Sequence, residues 1–248
     1  MTSMPDPHHQ PTTPELQKRT GLGLLLVFVG YIVELTLPHV SSAMVAQIAS
    51  GARGSASGGL SAYFALSSLF STIVIVAIQG AGIVLTLRRM GAYAQFALAS
   101  FVVYLGFAIL RTMVGAAPLL SRGSHGVSHS SSIAVYGGAA LVGSLLFALS
   151  SIALLVLLRR ATSAAGGRPS IVATILVCVG LSFNLLRGMA FTVVLSRLPI
   201  SSLALFNNVS MAVHAVICLS FMWLAFRARS ATLGMVLGAE GAPRDAYR

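Results

Sequence analysis

Six polar side chains interrupt the long apolar stretches of this chain, and their types suit the binding of a charged solute. They comprise one carboxylate, two guanidiniums and three amides: Glu34, Arg111, Asn184, Arg187, Asn207 and Asn208. A guanidinium presents a planar fork of donors that matches carboxylate or phosphate oxygens. The carboxylate can pair with a guanidinium or exchange a proton. These residue types predict a site for an anionic or polar small molecule, or for a lipid headgroup.

The histidines and cysteines form no recognised metal, haem or redox pattern. His39 and His214 are expected at depths several turns apart, which disfavours a shared haem. A hydrogen bond from His214 to a neighbouring helix is the more ordinary role. Cys178 and Cys218 lie within apolar runs, where a thiol usually acts as a small apolar filler. We predict no cofactor and no metal site.

No catalytic set can be assembled from the sequence. It contains no zinc-protease, nucleophile-elbow or phosphate-loop motif. Serine is abundant, but a serine nucleophile needs a positioned base. Catalysis is therefore not the leading expectation. One enzymatic alternative stays open, in which a membrane enzyme holds a lipid phosphate with Arg111 and Arg187.

The composition determines what kind of elements must position these residues. Only 8% of the 248 residues are charged, 56% are hydrophobic, and the mean hydropathy is +0.88. About a quarter of an ordinary soluble domain is charged, so this chain cannot cover a water-facing surface. A soluble enzyme, a nucleic-acid-binding domain and a disordered regulator are excluded, despite a pI near 11.1. The preference for arginine over lysine is typical of a GC-rich genome and favours a bacterial inner membrane.

The apolar residues fall into stretches long enough to cross a bilayer, which requires about 20 residues per helix. None of the stretches alternates as a strand would. We predict an all-α integral membrane protein with a six-transmembrane-helix bundle in residues 20–229. Residues 1–19, rich in proline, are predicted to be a disordered cytoplasmic tail, and 230–248 a second cytoplasmic tail. The predicted spans are about 21–40, 62–87, 91–116, 133–158, 170–195 and 203–226.

The cations at the ends of these stretches predict the orientation of the chain. With six crossings, nine of them share one side, and only Arg53, Arg122 and Arg197 lie in the opposite loops. Because short cytoplasmic loops carry an excess of Lys and Arg, both termini are predicted to be cytoplasmic. The nine are Lys18, Arg19, Arg88, Arg89, Arg159, Arg160, Arg168, Arg227 and Arg229.

The helical rise predicts how deep the polar residues lie. Glu34, Arg111 and Arg187 come roughly 22, 33 and 28 Å along their helices from the cytoplasmic cations at ~1.5 Å per residue. All three therefore belong to the outer third of the bilayer, with the three asparagines at a similar depth. An outward-facing polar pocket is predicted. Two structural alternatives remain: arginines that reach to the headgroups, and a Glu–Arg pair that neutralises itself between helices.

A small permease-like or transport-associated protein is the leading functional hypothesis. The absence of a proline from the centre of any span counts against an alternating-access machine. The main alternative is a non-catalytic subunit or assembly partner of a larger membrane complex, or a homo-oligomer. Small residues recur at every fourth position on helix four, at Ala140, Ser144 and Ala148. They indicate close packing within the bundle or, in that alternative, a face for another chain. Nucleic acid is not an expected partner.

Overall fold

Most of the chain that the structure describes is helical, and short turns connect α2 to α3 and α4 to α5. The computed structural model describes residues 14–51, 57–120, 129–193 and 200–240, with side chains described for most of them. All regular structure in these ranges is α-helix, which confirms the all-α prediction. The helices are α1 (Pro14–Gly51), α2 (Ser57–Met90), α3 (Ala92–Leu120), α4 (His129–Ala164), α5 (Ile171–Val193) and α6 (Ile200–Glu240).

Each helix contains a segment that is long and apolar enough to cross a membrane, which confirms six membrane-spanning helices. The helices run beyond the predicted stretches: α1 begins at Pro14 and α6 continues to Glu240. Proline is favourable at the first helical position, where its missing N–H would have no partner anyway. The apolar segments are Pro14–Leu37, Leu69–Met90, Ala92–Leu110, Gly138–Ala164, Ile171–Met189 and Asn208–Gly234.

The outside of the bundle is apolar. Between 22% and 44% of each membrane-spanning segment is buried, so most of its apolar surface faces outward. Water would not solvate such a surface favourably, whereas lipid tails would. The fold is therefore that of a polytopic membrane protein. Every helix exposes large hydrophobic side chains, for example Leu22, Phe70, Val102, Leu145, Val179 and Leu219.

Helices that are consecutive in the chain pack against one another, and α1 packs against α6 to close the bundle, with α4 also touching α6. The connection between α2 and α3 is the single residue Gly91, whose φ of 50° suits glycine. The backbones of α1 and α2 approach closely at Gly23 and Gly82. A Cβ added to Gly23 would lie 2.5 Å from the Gly82 carbonyl oxygen, so only glycine permits this approach.

Most of the described cations, with the exception of Arg187, collect at one end of the bundle, here called the basic end. Arg89, at the end of α2, donates to the Ala164 carbonyl at the end of α4 (3.4 Å). Arg227 of α6 donates to the Arg168 carbonyl before α5 (3.1 Å). The first turns of α1 lie at the same end, because a Cβ added to Gly21 would lie 3.6 Å from Leu233 Cδ2 of α6. The nine cations predicted to share one side thus lie at one end. Arg53, Arg122 and Arg197 lie outside the described residues.

Candidate functional site

Glu34 of α1 contacts one side chain from α2 and one from α6. Its Oε2 accepts a hydrogen bond from Gln79 Nε2 of α2 at 3.1 Å. Its Oε1 lies 3.3 Å from His214 Nε2 of α6, and 14% of the Glu34 side chain is exposed. Glu34 is roughly 22 Å along α1 from Arg19 at ~1.5 Å per residue. A carboxylate is therefore enclosed by polar partners deep in an apolar bundle.

His214 and Cys218 lie one turn apart on the same face of α6. Residues four positions apart on a helix point in the same direction, and Cys218 Sγ lies 3.6 Å from His214 Nε2. Cys218 is fully buried, whereas 41% of the His214 side chain is exposed. The ring of Phe147 from α4 lies against the imidazole, with centroids 6.1 Å apart. Glu34, Gln79, His214 and Cys218 are called the Glu34 cluster below.

A glycine makes room for Gln79. A Cβ on Gly30, one turn before Glu34, would overlap the Gln79 side chain, and Gln79 is only 2% exposed. The amide is therefore clamped between α1 and α2 with its nitrogen on the Glu34 carboxylate. Because Pro38 has no N–H, the Glu34 carbonyl also lacks its usual helical donor four residues later. Both features increase the polarity of α1 at this position.

Apolar residues close the Glu34 cluster on the side of the basic end. The rings of Tyr31 and Phe221 stack with centroids 4.9 Å apart and an interplanar angle of 3°. Both are buried, as are Leu24 and Leu224 in the turns nearer the basic end. This apolar layer separates the Glu34 cluster from the basic end.

The polar groups continue along α6 away from the basic end. Ser210 lies one turn before His214, is buried, and accepts a hydrogen bond from the Arg187 guanidinium of α5. Ser210, His214 and Cys218, called the polar stripe, extend about 12 Å along one face of the helix. Two side chains from other helices contact the polar stripe: Glu34 of α1 at His214 and Arg187 of α5 at Ser210.

The structure places the predicted site residues in different surroundings. Glu34 belongs to the Glu34 cluster and Arg187 contacts the polar stripe one turn further on. Asn184, one turn before Arg187, is half-buried, and Asn208 is exposed. The side chains of Arg111 and Asn207 lie outside the described residues. Binding of a ligand by this set stays a prediction.

The contact of His214 with another helix agrees with the sequence prediction, whereas the participation of Gln79 and Cys218 does not follow from the sequence pattern used above. A signal was present, because a histidine and a cysteine four positions apart lie on one face of a helix. Glu34, His214 and Cys218 offer oxygen, nitrogen and sulfur atoms that all lie within 4.8 Å of one another. Carboxylate, imidazole and thiolate are the ligand types that zinc accepts in proteins. The geometry can thus hold either a hydrogen-bonded pair with a thiol beside it or a metal ion.

Comparison with known proteins does not assign a function to this site. The membrane-spanning helices, the basic end and the Glu34 cluster are properties of the chain itself, and they carry the functional argument. No protein-family model, curated protein or solved structure matches this chain.

Proposed function

We propose that this protein is a small permease-like or transport-associated protein that binds a polar or anionic solute within the membrane. The proposal places it in a bacterial inner membrane with both termini in the cytoplasm. The collection of cations at the basic end supports this orientation, since cytoplasmic loops are enriched in Lys and Arg. The binding region then opens towards the outside.

The observation that carries the proposal is the polar stripe inside a lipid-covered bundle. Ionisable residues at membrane depth are costly and are found mainly where they face a site or a pathway. Glu34 contacts His214, and Arg187 contacts Ser210, about one turn away on the same helix α6. A bundle that needed only to be stable would fill these positions with apolar side chains.

Arg187 is the proposed recognition group for an anion. Its guanidinium provides several donors in a fixed plane, and it approaches Ser210 from α5. Asn184 lies one turn away on the same helix, and we assign Arg111, Asn207 and Asn208 to the same outer region. Glu34 lies beside this region within the Glu34 cluster, where it limits the net positive charge.

Thermal unfolding of the purified protein in detergent tests this proposal. Inorganic phosphate and acetate are added as sodium salts and compared with sodium chloride at equal ionic strength. Arg187→Gln removes the charge proposed to bind the anion. Arg160→Gln is the matched control, because Arg160 lies at the basic end, with its guanidinium carbon 5.2 Å from the centroid of the Tyr93 ring. We expect one anion to raise the Tm of the wild type and of Arg160→Gln more than that of Arg187→Gln.

Two results would contradict the proposal: no anion-specific shift in the wild type, or equal shifts in all three proteins. Uptake of the stabilising anion into proteoliposomes then distinguishes a permease from a protein that only binds.

The orientation is tested separately with Ser124→Cys in intact cells. A membrane-impermeant maleimide should label this cysteine before the cells are broken; labelling only afterwards would contradict the cytoplasmic placement of the basic end.

The small residues of α4 were the sequence feature that favoured the alternative function, a subunit that binds another chain of a larger complex. A Cβ on Gly188 of α5 would lie 2.7 Å from Ser144 Oγ, and Ala148 is 4% exposed. Ser144 and Ala148 thus pack within this chain, which accounts for two of the three small residues without a partner chain. The enzymatic alternative gains no support either, because the Glu34 cluster contains a single carboxylate.

A further inference from the structure

We propose that Glu34, His214 and Cys218 bind a divalent transition-metal ion of the zinc class within the membrane. The donors would be a carboxylate oxygen, imidazole Nε2 and a thiolate sulfur. The site adjoins the proposed anion site, one turn along α6 from the Ser210 that Arg187 contacts, and the inference stands whether or not the protein transports an anion. Three protein ligands leave a fourth position for water or a solute, as in zinc sites that do chemistry.

Two of the three distances between the donor atoms match the edges of a tetrahedral zinc site. Bond lengths of about 2.0–2.1 Å to nitrogen, 2.0–2.2 Å to oxygen and 2.3 Å to sulfur give edges of about 3.3–3.5 Å for N–O and 3.6 Å for N–S. The structure has 3.3 Å from Glu34 Oε1 to His214 Nε2 and 3.6 Å from His214 Nε2 to Cys218 Sγ. The third distance, from the Glu34 carboxylate oxygen to Cys218 Sγ, is within 4.8 Å. These two atoms would have to approach each other by at most about 1.3 Å to reach the oxygen–sulfur distance of a tetrahedral zinc site.

Charge favours a metal ion at this position. One carboxylate and one thiolate neutralise a divalent cation, so the loaded site has no net charge. An isolated charge is costly in an apolar interior, and coordination to a metal is one of the few ways to satisfy it. Metal binding would release the thiol proton to bulk water, and the His214 side chain, 41% exposed, is the part of the site open to its surroundings.

Neighbouring side chains orient two of the ligands. Gln79 donates to Glu34 Oε2 and leaves Oε1 directed at His214. Phe147 packs against the imidazole, and the helical spacing of His214 and Cys218 fixes their relative position. Such outer partners are typical of metal sites and usually affect affinity by about 10–100-fold. The competing interpretation is a purely structural His–Glu hydrogen bond, which requires no role for the thiol.

Cobalt is the probe that distinguishes the two interpretations. The full chain is purified with a tag that contains no histidine, stripped with a chelator and titrated with Co²⁺. The metal site predicts one tightly bound equivalent, intense visible bands of tetrahedral cobalt and a near-ultraviolet thiolate charge-transfer band. Weak visible absorption without the thiolate band in the wild-type protein would overturn the proposal, and this outcome needs no variant.

Substitutions assign the ligands. Cys218→Ser should abolish the thiolate band, and Cys178→Ser, which changes an exposed cysteine on α5, should leave it unchanged. Glu34→Gln and His214→Gln should each weaken Zn²⁺ binding by more than about 100-fold, beyond the usual effect of an outer partner. A thiolate band that persists in Cys218→Ser, or is lost in Cys178→Ser, would contradict this ligand set. The anion shift at Arg187 is measured independently, so failure of one proposal leaves the other testable.

Discussion

The close approach of α1 and α2 positions the Glu34 cluster, and Gly82→Ala tests it directly. A Cβ at Gly82 would lie 2.6 Å from the Gly23 carbonyl oxygen and 2.9 Å from Val27 Cγ2. The first of these atoms is backbone, so relief requires the two helices to separate. Overpacking of this kind costs about 1–3 kcal/mol, while replacement of a helical glycine by alanine contributes up to about 1 kcal/mol in the opposite direction.

Gly80→Ala is the matched control. It lies on the same helix and makes the same chemical change, but its Cβ would meet Leu98 Cδ1 at 4.0 Å, an ordinary contact. The helix-propensity term cancels between the two variants. Gly82→Ala should therefore be less stable than Gly80→Ala by about 1–3 kcal/mol.

Unfolding by SDS titration in mixed micelles, followed by circular dichroism, measures the difference between these variants. The Co²⁺ spectrum of each variant reports whether the Glu34 cluster has moved. Equal unfolding free energies for Gly80→Ala and Gly82→Ala would refute the close helix contact. The placement of Gln79 against Glu34 would then lose its structural basis.

Three further predictions concern the layers around the Glu34 cluster. Phe221→Ala should lower the unfolding free energy by about 3–5 kcal/mol, because it removes a fully buried ring stacked on Tyr31; a loss below 1 kcal/mol in the same titration would contradict the packing. Gln79→Leu should weaken Zn²⁺ binding by about 10–100-fold in chelator competition while the Co²⁺ thiolate band is retained; unchanged affinity would remove Gln79 from the site. In the folded, metal-free protein, N-ethylmaleimide should modify exposed Cys178 faster than buried Cys218, as mass spectrometry of peptides can show, and equal rates would contradict the burial of Cys218.

The helical architecture could be predicted from sequence because it depends on local properties. Six helices could be predicted from six apolar stretches of sufficient length. The shared basic end could be predicted from the arginines at the ends of these stretches. The helix ends were less predictable. Helix α1 starts at Pro14 within the segment expected to be a tail, since a few polar residues can extend a helix that lipid and packing already stabilise.

The site could be predicted only in part. The depth of a residue along its helix follows from the sequence, whereas the neighbouring helix that its side chain faces does not. The rise per residue predicts Glu34 in the outer third of the bilayer, but a pairing with arginine was as consistent with the sequence as one with histidine. The glycines at positions 23, 30 and 82 decide the matter, because they bring α2 against α1 and place Gln79 on the Glu34 carboxylate. Such contacts depend on the packing of whole helices.

The proposed metal site is the most specific claim about this protein, and X-ray absorption of the zinc-loaded chain tests it most directly. We expect the zinc ion to have one sulfur ligand at about 2.3 Å and nitrogen or oxygen ligands at about 2.0–2.2 Å. The sulfur should be absent from zinc-loaded Cys218→Ser. A shell of nitrogen and oxygen alone in the wild-type protein, or zinc that is lost entirely on dialysis, would contradict it.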